Sequence, residues 1–174
     1  MRHRSFAAVV RADARALILG SMPGAASLAA QQYYAHPQNQ FWPIMEQLYG
    51  VPCSGPYAAR LQRLQHSRVA LWDVLQSCVR PGSLDTAIEH ASAIPNAVPQ
   101  LLREHPGIVR LCCNGGTAFR AVQRYFGAQL QREFPQIECL RLPSTSPAHA
   151  GMRFADKLAA WRAALEPAAG PTGA

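Results

Sequence analysis

The sequence predicts an α/β domain, a three-layer α/β/α sandwich around a short, mostly parallel four-stranded sheet. Three observations carry that expectation. The chain has 174 residues, the length of one compact domain. Its composition, 49% hydrophobic and 16% charged, is that of a globular protein rather than a disordered one. Four short apolar runs, at 16–19, 69–72, 108–113 and 137–142, alternate with stretches whose apolar residues recur every three or four positions. Strands alternating with helices imply parallel pairing through right-handed crossovers, with helices on both faces of the sheet.

The elements follow in order. The first strand, 16–19, runs into the glycine at 20. A helix over 41–49 must begin between 39 and 41, because Pro43 lacks an N–H and is tolerated only in a first turn. A second helix covers 57–64 and leads to the strand at 69–72. A third, at 98–104, precedes the strand at 108–113, whose adjacent Cys112 and Cys113 point to opposite faces. A helix at 117–126 leads to the last strand. The pattern at 152–165 closes the fold with Phe154, Leu158, Trp161 and Leu165 on one face. We find no internal repeat and no shift in composition, so residues 1–166 read as one domain. Residues 167–174, rich in proline, glycine and alanine, read as a disordered tail.

Charge and rare residues narrow the function. Seventeen basic residues against ten acidic ones give +7, and sixteen of the seventeen are arginine. Such a balance favours a polyanionic partner, although arginine excess also follows from coding bias. The one lysine, Lys157, lies in the closing helical pattern, which argues against a P-loop and against Schiff-base chemistry. Five cysteines form no C-x-x-C pair and no cluster with histidine, so neither a zinc site nor an iron–sulfur cluster is expected. Their odd number, with no leader-like start, points to reduced thiols in a cytoplasmic protein. No apolar run approaches the length of a membrane span.

In an open parallel sheet, ligands bind beyond the carboxyl ends of the strands. Here those ends lead into Gly20-Ser21-Met22-Pro23-Gly24, into Asp73, into Asn114-Gly115-Gly116-Thr117, and into Pro143-Ser144-Thr145-Ser146-Pro147. Two glycines let the first loop bring its backbone N–H groups close to an anion or a carbonyl oxygen. A plain tight turn needs the same residues, and the loop matches neither a dinucleotide fingerprint nor a nucleophile elbow. The stretch from 31 to 42 gathers four aromatics, an imidazole and several amides, which suits stacking and edge-reading of a base. Packing explains part of it: Tyr33, Phe41 and Trp42 read as core, and Asn39 sits where a helix N-cap would. Asp73 reads either as a ligand-facing carboxylate or as the cap of a turn over 74–78.

Gly20-Ser-Met-Pro-Gly24, then Tyr34-Ala-His-Pro-Gln-Asn-Gln-Phe-Trp42, then Leu142-Pro-Ser-Thr-Ser146 resemble the motifs of the uracil-DNA glycosylase superfamily, closest to its hypoxanthine-DNA (deoxyinosine) glycosylase branch. The likeness runs from about position 17 to 154. It implies hydrolysis of the bond between a deaminated base and deoxyribose, with the nucleotide turned out of the duplex. Many members carry Asp or Asn where this chain has Met22. In the hypoxanthine branch the water-positioning asparagine maps instead onto Asn39, which would orient water rather than deprotonate it. The likeness also places Tyr34 against the face of the base and Asp73 at its edge. Gly20, Ser21 and Met22 complete the pocket, and Pro23, Gly24, Pro143, Ser144, Thr145, Ser146 and Pro147 lie on the DNA. Leu142 stands where some members have a histidine that stabilises a pyrimidine oxygen, and no protruding wedge follows Ser146. Those departures suit a purine leaving group and a substrate that flips cheaply. His36 and His149 remain as alternative donors or as plain surface histidines.

The expectation is therefore a monofunctional DNA glycosylase acting on hypoxanthine, and on uracil or xanthine, in DNA. It is expected to act as a monomer without cofactor, metal or membrane, in the cytoplasm of a bacterial-type cell and on its nucleoid. Two rival readings are a noncatalytic nucleic-acid-binding module of the same fold and an unrelated small-molecule α/β enzyme.

Overall fold

A computed structural model describes residues 1–166, so the tail expected at 167–174 lies outside the described residues. The chain runs β1 (Arg2–Arg4), β2 (Ala16–Gly20), α1 (Ala25–Ala30), α2 (Phe41–Tyr49), α3 (Tyr57–His66), β3 (Val69–Asp73) and β4 (Leu75–Val79). After a 3-10 turn at Asp85–Ala87 it continues through β5 (Glu89–Pro95), α4 (Val98–Glu104), β6 (Arg110–Asn114), α5 (Gly116–Glu133), β7 (Glu138–Leu142) and α6 (Phe154–Leu165).

The four apolar runs expected as strands form one sheet in the order β3-β2-β6-β7, with every pairing parallel. Strand β2 is central, and all five of its residues are buried, as a strand covered on both faces requires. Side-chain alternation sends Leu17 and Leu19 to one core, with Cys113, Val122 and Phe126. Ile18 goes to the other, with Cys112, Phe41, Ile44, Met45 and Trp161. The two adjacent cysteines thus lie on opposite faces, and all five cysteines are free thiols. Helices α4 and α5 cover the first face, and α2, α3 and α6 the second. Helix α2 starts at Phe41 with Pro43 in its first turn. It stops at Gly50, whose positive φ of 65° lets its N–H close on the Glu46 carbonyl.

Three features were not expected. A second, antiparallel sheet pairs β1 with β4 and β4 with β5. The stretch read as a capped turn after Asp73 is strand β4, so Asp73 is no turn cap. Helix α1 is a short extra helix, and α5 extends to Glu133, well past 126. Strand β1 is short and polar, β5 is mostly exposed, and β4 and β5 pair with register shifts that break period-two alternation. The second sheet directs the chain at Asp73: β3 ends there, and after Val74 the chain enters β4.

Candidate active site

Every loop singled out in the sequence lies at the carboxyl edge of the parallel sheet, where β2, β3, β6 and β7 all end. Direct hydrogen bonds join motifs that are far apart in the chain. The Gln40 N–H donates to the Thr145 carbonyl at 3.0 Å, linking the segment before α2 to the loop after β7. Asn114, at the end of β6, pairs with Thr145 through both side-chain and backbone atoms. The Gly115 N–H donates to the Leu142 carbonyl at 3.0 Å, and a Cβ on Gly115 would sit 3.0 Å from that of Ser144. From below, Trp161 Nε1 donates to the Pro143 carbonyl, and the buried Lys157 ammonium donates to that of His149. The loop 143–147 is therefore held from two sides.

The first loop is held as firmly. Its Gly20 and Ser21 carbonyls accept the Val74 and Leu75 N–H groups. Ser21 donates its hydroxyl to Asp85. Arg80, only 1% exposed, donates to the Pro23 and Gly82 carbonyls and stands 3.6 Å from Asp85. Sequence reasoning missed Arg80 and Asp85, since nothing in a run of loop residues marks an arginine that folding will bury. Met22 packs in the core beside Leu19 and Leu75, while Gly24 is the N-cap of α1.

Gly20 and Asp73 are register partners in the parallel pair. A Cβ on Gly20 would meet Asp73 Oδ1 at 2.5 Å and the Tyr34 hydroxyl at 3.3 Å, so both polar groups converge on this bare α-carbon. Asp73 is 3% exposed and its Oδ2 has no hydrogen-bond partner. The Tyr34 hydroxyl and Gln40 Oε1 are likewise buried and unpartnered. Burial, reinforced by the negative charge of Asp85 and only partly offset by Arg80, pushes the Asp73 pKa up to about 8. The shift favours the protonated, neutral carboxyl. Burial also raises the phenol pKa of Tyr34, which keeps it a donor.

Tyr34 adopts a left-handed backbone conformation, φ 56°, that a non-glycine residue reaches only where packing holds it. Its ring stacks on Phe41, with centroids 4.0 Å apart and planes inclined by 25°. Phe41 is buried and backs one face of the phenol, and Tyr34 as a whole is half-buried. Tyr33 and Trp42 are core residues, and Trp42 Nε1 donates to the Tyr33 carbonyl. Asn39, half-buried, accepts the Phe41 N–H on Oδ1 at 2.9 Å, which satisfies a donor left free by the start of α2. Gln40, not Asn39, is the N-cap residue. The second Oδ1 lone pair and the NH₂ of Asn39 make no hydrogen bond among the described residues. His36 and His149 are both exposed, and His36 Nδ1 accepts the Gln38 N–H. Among the described residues no group of three or more metal-ligating side chains comes together, and no helix is long and apolar enough to cross a membrane.

The parallel sheet and the loops gathered at its edge define an α/β protein whose candidate site lies beyond the carboxyl ends of its strands. The chain belongs to the uracil DNA glycosylase superfamily, whose family model matches residues 7–165. A hypoxanthine DNA glycosylase of Methanosarcina barkeri (strain Fusaro / DSM 804) is 37% identical over 90 residues, covering 51% of this chain and 57% of that protein. One from Methanosarcina acetivorans is 35% identical over 119 residues, covering 68% of this chain and 74% of the relative. The solution NMR structure of a candidate uracil DNA glycosylase from Methanosarcina acetivorans superposes with a TM-score of 0.79 at 30% identity, over 95% of this chain and 97% of the other.

Proposed function

We propose that the protein is a monofunctional DNA glycosylase that releases deaminated bases, hypoxanthine foremost and uracil or xanthine second, leaving an abasic site. The observation that carries this reading is the convergence of two buried, unpartnered polar groups, the Asp73 carboxyl and the Tyr34 hydroxyl, on Gly20. Buried polar atoms without partners call for an explanation, and the edge of a nucleobase supplies one. Membership of the superfamily and the printed names of the Methanosarcina relatives agree with it.

In this account the extruded base lies against Tyr34, which Phe41 backs, a contact worth ~1–3 kcal/mol. A neutral Asp73 carboxyl meets the lactam edge of hypoxanthine: its carbonyl accepts N1–H and its hydroxyl donates to O6. An ionised carboxylate would oppose the negative charge gathering on the departing base. A protonated one favours it, more in the transition state than in the ground state. The same neutral carboxyl also fits adenine, so exclusion of adenine falls to the lower cost of extruding a mispaired base.

Asn39 directs a water onto C1′ through its remaining Oδ1 lone pair. The water oxygen bonds to C1′ as the C1′–N9 bond breaks, the base leaves with the electron pair, and the surplus proton of the water ends on the base. Hydrolysis consumes nothing else, so the reaction calls for neither cofactor nor metal. The loops 20–24 and 143–147 grip the DNA, and the enzyme works as a monomer in the cytoplasm.

Oligonucleotides carrying a single inosine, uracil or xanthine, incubated with the protein and then cleaved with alkali, test this reading. Strand scission at inosine is expected. DNA binding without scission at any lesion would favour the noncatalytic module, a reading to which the committed Asn39–Phe41 hydrogen bond lends some weight.

A further inference from the structure

A cleft of about 510 Å³ opens on the other face of the parallel sheet from Tyr34 and Phe41. Leu75, Ile88 and Ala121 form its apolar floor, while Arg120 and Arg124 line it from α5. These two arginines are one helical turn apart and share a face. Arg141, exposed on β7, extends the row: its Nη2 and Nη1 of Arg120 lie 2.9 and 3.1 Å from where a Cβ on Gly116 would be. All three side chains are exposed, and none forms an ion pair with a carboxylate among the described residues. The carboxylate in the cleft, Asp85, is already engaged by Ser21 and Arg80 and does not neutralise them.

Like charges brought together without counter-charges destabilise a fold slightly, so an unpaired row of this kind fits an anion from outside. The row is open and spread over two elements, and no buried charged group closes round a single point. That suits a chain of phosphates better than one small anion. It is also continuous with the proposed base site, since Ser21 lines the cleft next to Gly20, and Gly116 follows Gly115 at Ser144. We propose that Arg120, Arg124 and Arg141 carry the phosphate backbone of the DNA strand on one side of the extruded nucleotide. This extends the excision reading and rests on it for the position of that nucleotide.

The test is binding of a fluorescein-labelled, undamaged duplex across a salt series. Arg120→Gln, Arg124→Gln and Arg141→Gln are each expected to weaken binding about eightfold at about 0.1 M salt and to reduce the slope of log affinity against log salt by about 0.9. Arg162→Gln, on the outer face of α6, is expected to change neither. Wild-type affinity and slope in all three variants would overturn the proposal, as would an equal loss in Arg162→Gln. So would variants that lose binding of inorganic phosphate yet keep duplex affinity, which would mark a small-anion pocket. Undamaged duplex needs no base release. A protein that binds it through these arginines but never cleaves at inosine would therefore fail the excision reading and uphold the arginines as phosphate contacts alone.

Discussion

Asn114 and Thr145 are joined twice: Asn114 Nδ2 donates to Thr145 Oγ1 at 2.9 Å, and the Thr145 N–H donates to Asn114 Oδ1 at 3.0 Å. One carboxamide at the end of β6 thereby fixes both the backbone and the side chain of a buried residue in the loop after β7. Thr145 in turn accepts the Gln40 N–H, so a single amide side chain sets the spacing between the segment bearing Asn39 and the loop proposed to lie on DNA.

Asn114→Ala is expected to cost roughly 1–3 kcal/mol, because two buried groups of Thr145 lose their partners. Excision is expected to fall by more than this loss accounts for at a temperature where the variant is fully folded. Urea denaturation and single-turnover kinetics on an inosine duplex measure the two separately.

Asn39→Ala removes both the proposed water-orienting oxygen and the acceptor for the Phe41 N–H. Base release is expected to disappear, DNA affinity to persist, and stability to fall by about 1 kcal/mol. Asn39→Asp retains an acceptor at the start of α2 and so restores the stability. If Asn39→Ala lowers affinity and excision together, or lowers neither, Asn39 serves the helix alone.

Asp73 gives the protein a pH signature. Its proton is held more tightly in the folded chain than in the unfolded one. The stabilisation this brings is complete below the ordinary carboxylate range, declines as pH climbs toward about 8, and is gone above it. Asp73→Asn keeps a donor and an acceptor without a titrating proton. The variant is expected to gain stability over the wild type as pH rises through that window, and to lose the fall in excision near pH 8. Parallel pH–rate profiles for the two proteins would refute the role of the carboxyl.

Gly20→Ala would push a methyl group into Asp73 and Tyr34. Crowding of this kind costs ~1–3 kcal/mol. Excision is expected to collapse while undamaged duplex still binds, since the added methyl meets only Asp73 and Tyr34 and leaves Pro23, Gly24, loop 143–147 and the three arginines in place. Normal excision by a folded Gly20→Ala protein would show that the base does not lie at this carbon.

The parallel sheet was legible because its strands are short and apolar and are separated by helices with a clear three-to-four spacing, as in the helix that carries Phe41, Ile44 and Met45. The second sheet was not. Strand β1 is three residues of arginine and histidine, and β4 pairs irregularly with an exposed β5, so no periodic signal reaches the sequence. Within the candidate site, Gly20, Tyr34, Asn39 and Asp73 were legible through their order along the chain. The neutral state of Asp73 was not, because it depends on Asp85 and on burial, neither of which spacing encodes. The three unpaired arginines were visible only as part of a total charge, which says nothing about where charge collects.

The passage of the chain from β3 straight into β4 has a further consequence for the carboxyl at that corner. The Asp73 carbonyl accepts Asn96 Nδ2 at 2.8 Å, and Val74 is bonded on both sides, its N–H to Gly20 and its carbonyl to Asn96. Pinned between two sheets, this acid has no hinge with which to follow guests of different size. Under the proposed function, any accommodation between a two-ring purine and a one-ring pyrimidine must therefore come from the aromatic wall formed by Tyr34. There Tyr34 stacks on Phe41 from a connector without regular secondary structure.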